Sequence, residues 1–304
     1  MPRTFDFVQV DVFTQTPLAG NALAVFPDAR GLSDDEMQAL AKEMNLSETT
    51  FVLPRDAATE AKDGKKVRIF TVSEELPFAG HPTLGTALYL HSAADKAALD
   101  EIVLDLKVGK IPVRVDENSG RSGRVDGKSF GEMRQCDPEF GKTLTREGVA
   151  RAVGASVDEI AAEWPSQVVS TGLPFAIVPI RDFKALEKLR AGFSADDLLA
   201  GTGAKFIYFL AIERGKDRLE ARARMFFYGG EDPATGSAAG CAASWMAKHG
   251  VAKSDEQIVI RQGVEMKRPS EIFVRATRED DRVTNVRVGG YAVEILRGTV
   301  TLDK

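Results

Sequence analysis

Two short stretches of this chain echo each other. "FAGHPTLGTALY" (residues 78–89) and "GGEDPATGSAAG" (229–240) both read x-(His/Asp)-Pro-x-x-Gly-(Ser/Thr)-Ala, and His81 and Asp232 stand 151 positions apart (232 − 81) in a chain of 304 residues. A repeat at half the chain length predicts a duplicated half-chain, and 304 residues is long for one core, so two domains of roughly 150 residues each are expected. "VRIF" and "ARMF" precede the two motifs, and a hairpin pattern follows each. The expected boundaries are residues 1–125 and 135–304, with the last strand returning to the first domain. The Gly- and Ser-rich stretch 117–133 reads as the linker or a hairpin tip.

The chain is 43% apolar and 28% charged, the composition of a folded protein with a core. A net charge of −5, with acids and bases interleaved, offers no basic stripe for nucleic acid or an anionic membrane. A small anionic metabolite is still an admissible partner if backbone amides hold it. Cys136 and Cys241 are the only cysteines, too few for a disulfide framework and not in a C-x-x-C pair, so a reducing compartment and no metal are expected. The N-terminus alternates like a strand and lacks an apolar leader, and no run of about 18 apolar residues occurs, so a cytoplasmic location is expected.

Strands are predicted at 5–13, 21–26, 48–54 and 67–72, with a hairpin at 102–115. Ser33 and Glu36 form a capping box for a helix over 33–44, and Pro82 reads as the opening of a second helix. In the second half, strands are predicted at 167–180, 205–212 and 220–227, short helices at 182–190 and 194–200, and a helix from Pro233 to about His249. Extended pairs follow at 257–268 and 271–277. Each half is thus strand-rich with one helix that is apolar or small all round, which a curved sheet would bury. The predicted class is α+β: two similar domains, each a curved, mostly antiparallel sheet or barrel around a central helix. Both motifs are expected at one cleft between the domains.

Taken alone, Asp232 is an N-cap for Pro233 and the small residues allow tight packing. His81 is a poor cap, yet it holds the equivalent position, so a shared ligand accounts for both better than two capping needs. Helix N-termini offer N–H groups and partial positive charge to a carboxylate or a developing enolate. His91 and His249 fall near helix C-termini, where a dipole contact explains them, and Glu48 alone would be a solvated residue at the start of a strand. The phosphate-loop pattern, a G-x-G-x-x-G opening a βαβ unit and G-x-S-x-G are all unmet, so no nucleotide or other cofactor is expected.

Together, "VDVFTQTPLAGNALAVF", "NLSETTFVLP", "ELPFAGHPTLGTA" and "EDPATGSAAG" resemble the phenazine-biosynthesis PhzF-like family, within the diaminopimelate-epimerase-like fold, over about residues 5–298. The resemblance implies a cofactor-independent isomerase whose catalytic glutamate, histidine and aspartate fall on Glu48, His81 and Asp232. It further implies substrate contacts at Asn21, Gly80, Gly236 and Ser237, with the substrate carboxylate on the amides of Gly236 and Ser237, and a homodimer. Ala22 stands where the family usually has Pro, and the loop before Glu231 is shorter than usual and lacks the customary Pro. An isomerase of this kind needs one group that takes a proton from carbon and returns it elsewhere. A glutamate suits this if burial raises its pKa towards roughly 6 to 7. The alternatives are an epimerase using Glu48 and Asp232 from opposite faces, or a non-catalytic binding protein on the same scaffold. Cys241 lies a turn into its helix and neither motif contains Cys, so a two-thiol racemase is not expected.

Overall fold

Alternating side chains make "RTFDFVQVDV" a strand, β1 (Arg3–Val12), with Val8, Val10 and Val12 buried on one face. The computed structural model describes residues 2–94, 100–116, 129–215, 219–227 and 230–302. The chain divides into two units: Met1–Arg134 with Gly289–Lys304, and Gln135–Val288. The last strand, β17 (Arg282–Leu302), begins in the second unit and ends in the first, where it pairs along the whole of β1.

In the first unit, β2 (Asn21–Phe26) pairs antiparallel with β1 and parallel with β3 (Glu48–Leu53). Next come β4 (Lys65–Phe70), β6 (Glu101–Leu106), β7 (Gly109–Asp116) and β8 (Phe130–Arg134), which pairs with β17 and closes an eight-stranded barrel. The barrel holds α3 (Gly80–Ala93), whose residues Gly80–Leu88 are all buried. Gly85 permits the close fit, because a Cβ there would lie 2.6 Å from Val12 and 2.8 Å from Leu23. Outside the barrel, α1 (Asp34–Met44) starts at the Ser33–Glu36 capping box and lays Met37, Leu40 and Ala41 on Phe26, Phe51 and Phe70. A short helix, α2 (Ala57–Asp63), capped by Asp56, leads into β4, and the two-residue strand β5 (Glu75–Leu76) precedes α3.

The second unit repeats this order of pairings. β9 (Glu139–Leu144) pairs with β10 (Ser166–Ser170), which forms a hairpin with β11 (Pro174–Ile180). β11 runs parallel to β12 (Phe206–Arg214), and β12 antiparallel to β13 (Leu219–Phe227). β13 then runs parallel to β15 (Ile258–Gln262), which pairs antiparallel with β16 (Ser270–Glu279). The succession β10–β11–β12–β13–β15–β16 therefore matches β1–β2–β3–β4–β6–β7 in sense and direction. Here too a two-residue strand, β14 (Gly230–Glu231), precedes the central helix, α7 (Gly236–Lys248), which is buried from Gly236 to Ala247. The other face of β10–β12 is covered by α4 (Arg146–Val153), α5 (Phe183–Lys188) and α6 (Asp196–Leu199), with Val149, Leu186 and Leu199 buried against it.

Several predicted elements differ. Residues 167–180 are two strands, because Gly172, at φ 125°, breaks them into a hairpin. The predicted linker 117–133 ends in β8, and its residues 117–128 lie outside the described residues, as do Tyr228 and Gly229 of the loop before Glu231. Neither proline opens its helix: Pro82 is the third residue of α3, and Pro233 lies before α7. His249 is the C-cap residue of α7. Burial is the main influence lowering its pKa, its Nε2 meets Gln167 at 3.0 Å, and Arg278 donates to the last carbonyls, Ala247 and Lys248.

Candidate active site

β2 and β3 are parallel neighbours, with Leu23 opposite Glu48, so Asn21 and Glu48 sit at the same end of the first barrel. Alternation turns both inward: Leu23, two residues after Asn21, reaches Gly85 of α3, and Thr50, two residues after Glu48, meets Thr86 of α3 at 2.9 Å. His81 is the second residue of α3 and meets them there. Its Nδ1 lies 3.2 Å from the Asn21 amide nitrogen and 3.5 Å from Glu48 Oε2.

Burial lowers the pKa of His81 to about 3, against a weaker opposing contact with the Ala22 backbone, so the ring is neutral. It therefore adds no positive charge beside the Glu48 carboxylate. Among the described residues, His81 Nε2 is buried and has no hydrogen-bond partner. A buried ring nitrogen in that condition is a ready contact for an oxygen of a bound molecule. Gly80, the first residue of α3, is buried beside it, and the helix has no side-chain cap, whereas α1, α2, α4 and α5 all have one.

In the second unit, Asp232 is buried, and its backbone N–H donates to the Met225 carbonyl at 2.9 Å. Just before it, Glu231 is held by a bidentate pair with Arg224, at 2.8 and 2.7 Å. The Arg224 guanidinium also donates to the carbonyls of Leu186 and Leu189. Burial pulls its pKa down, but the Glu231 hydrogen bonds and charge outweigh that and raise it.

Asp232 is not the N-cap that it would be if read alone. The cap is Thr235, three residues later and without a side-chain cap bond, and Gly236 and Ser237 are the first two helical residues. Asp232 Oδ2 instead accepts from Thr235 Oγ1 at 2.6 Å. The segment 232–235 is kept out of the helix because other groups claim its backbone: Gln262 Nε2 donates to the Asp232 carbonyl at 2.7 Å, Ser270 Oγ to the Pro233 carbonyl at 2.8 Å, and Thr235 N–H to Gln262 Oε1 at 3.1 Å. His81 and Asp232 thus share a place in the sequence repeat but not a backbone conformation. Cys241 is buried with its pKa raised to about 11 by burial, so it is a thiol and not a nucleophilic thiolate.

The sequence reading missed Gln262, Thr235 and Arg224. Gln262 had a signal: Ile258, Ile260 and Gln262 alternate on the buried face of β15, and an amide there needs partners.

The family described as phenazine biosynthesis-like protein (PhzC-PhzF) matches residues 10–298, and the chain belongs to it. It is 37% identical to the trans-2,3-dihydro-3-hydroxyanthranilate isomerase of Pseudomonas chlororaphis, over 97% of this chain and 99% of that one. An uncharacterised isomerase of Mesorhizobium japonicum is 35% identical, over 97% and 98% of the two chains. Among solved structures, a predicted epimerase from Pseudomonas aeruginosa superposes with a TM-score of 0.82 at 35% identity, covering 97% and 99%. The protein is an isomerase. No helix among the described residues is long and apolar enough to cross a membrane.

Proposed function

We propose that the protein moves a proton within a small, cyclic, carboxylate-bearing metabolite without a cofactor, with Glu48 as the acid/base group. The observation that carries this reading is the cluster at the start of α3, where a carboxylate lies 3.5 Å from an imidazole that burial keeps neutral. The Glu48 carboxylate takes a proton from a carbon of the substrate, an O–H bond forms as the C–H bond breaks, and the electron pair enters the conjugated system. Glu48 then returns the proton to a different carbon, so substrate and product have the same composition. His81, steadied at Nδ1 by Asn21, hydrogen-bonds through Nε2 to the oxygen that gains charge. The amides of Gly236 and Ser237 at the start of α7 hold the carboxylate, and Asp232 hydrogen-bonds the substrate. An anthranilate derivative, the kind of molecule named for the Pseudomonas chlororaphis relative, has the required carboxylate and ring.

The two units are proposed to descend from one duplicated ancestor, which their matching order of pairings supports. Further proposals are a cytoplasmic homodimer and no nucleic-acid partner. Glu48→Gln keeps shape and hydrogen bonding but not basicity. With trans-2,3-dihydro-3-hydroxyanthranilate it is expected to bind as wild type does by calorimetry and to lose turnover by at least about a hundredfold. Turnover near the wild-type rate would remove Glu48 from the reaction.

A further inference from the structure

A buried chain of hydrogen bonds in the second unit has its direction set by chemistry. Tyr208 O–H donates to Gln262 Oε1 at 3.1 Å, and Oε1 also receives the Thr235 N–H at 3.1 Å, so that atom of the amide must be the oxygen. Gln262 Nε2 donates to the Asp232 carbonyl at 2.7 Å and to Thr235 Oγ1 at 2.9 Å. Because Thr235 Oγ1 accepts there, its own proton goes to Asp232 Oδ2, at 2.6 Å. Tyr208 and Gln262 are fully buried, and Thr235 and Asp232 nearly so. Gly263, at φ 73°, lets the β15–β16 hairpin come this close, since a Cβ there would lie 2.7 Å from the Pro233 carbonyl oxygen.

We infer that Gln262 and Thr235 are positioning residues for Asp232: Gln262 directs the Thr235 hydroxyl, and that hydroxyl holds the Asp232 side chain in one orientation as a hydrogen-bond acceptor. The inference deepens the reading of Asp232 as a substrate-contacting group and rests on it. A hydrogen bond to a carboxylate favours its ionised form, so the direction of the chain is written into the titration of Asp232. The titratable groups that share this interior are Tyr208, pushed well above its usual range by burial first and then by the Asp232 charge, and Cys241, raised to about 11. Neither is charged near neutral pH. The neighbouring carboxylate, Glu231, is paired with Arg224.

The test is the 13C NMR titration of Asp232 in protein labelled at the aspartate carboxyl, with the resonance assigned by its absence from Asp232→Asn. Thr235→Val is nearly isosteric and removes the donor, so the Asp232 midpoint is expected to rise by about one to two pH units. Thr235→Ser keeps the hydroxyl and is expected to return it to the wild-type value. Gln262→Met frees the hydroxyl without deleting it and is expected to raise the midpoint by less than Thr235→Val. A wild-type midpoint in Thr235→Val, or an equal rise in Thr235→Ser, would overturn the role of the hydroxyl. A wild-type midpoint in Gln262→Met would overturn that of Gln262. Turnover of trans-2,3-dihydro-3-hydroxyanthranilate by Asp232→Asn is the separate arm: an undiminished rate would remove Asp232 from the site while leaving the titration result standing.

Discussion

His81 makes stability depend on pH in a way that can be calculated. In the folded protein its pKa falls from an ordinary 6.5 to about 3, because the buried ring cannot hold a charge without water. The folded value lies below the unfolded one, so as pH drops the unfolded chain takes up the proton first. The contribution is therefore complete above about 6.5 and is lost as pH falls from there towards about 3, at about 1.4 kcal/mol per pH unit. Two pH units inside that window amount to roughly 2 to 3 kcal/mol. Urea unfolding from pH 7.5 to 4.5 would measure this in Glu48→Gln and in Glu48→Gln/His81→Asn, a background in which the neighbouring carboxyl does not titrate. As pH falls, Glu48→Gln is expected to lose stability relative to Glu48→Gln/His81→Asn by that amount, whatever their offset at neutral pH. Parallel curves would show that His81 titrates normally, and the neutral imidazole on which the proposed chemistry depends would be lost with them.

Arg224→Met leaves the partly buried Glu231 without its partner and is expected to cost about 2 to 3 kcal/mol in chemical denaturation, most of which Arg224→Met/Glu231→Gln should restore. A helix-interior Gly→Ala change commonly stabilises by up to about 1 kcal/mol, but Gly240→Ala is expected to destabilise by about 1 to 3 kcal/mol. Its Cβ would lie 1.9 Å from Gln135 Oε1 and would dislodge the amide that holds the Gly236 carbonyl at 3.0 Å. Thermal unfolding would decide this, and Gly240→Ala/Gln135→Ala should recover part of the loss.

What the sequence disclosed was mostly local. The Ser33–Glu36 capping box and the six residues "NALAVF" carry their own instructions, and both elements form as read. The start of α7 was misread because residues 30 positions and more away decide it: Gln262 and Ser270 bind the backbone at Asp232 and Pro233 before the helix can include them. No strand was predicted over 282–302, where β17 runs from the second unit into the first, because nothing in its local pattern marks so long a strand. At the candidate site, Asn21, Glu48 and His81 were named from motifs, but their contact depends on the parallel register of β2 and β3, which no single segment encodes.

The central claim is that a proton changes carbon within one molecule and that nothing else changes. The most direct measurement is mass spectrometry and 1H NMR of the product formed from trans-2,3-dihydro-3-hydroxyanthranilate in D2O by dialysed, chelator-treated protein. The expected product is an isomer of unchanged composition with hydrogen, or one deuterium from exchange at Glu48, on a new carbon. A product altered in composition, or an activity that returns only when a cofactor is added back, would contradict that claim.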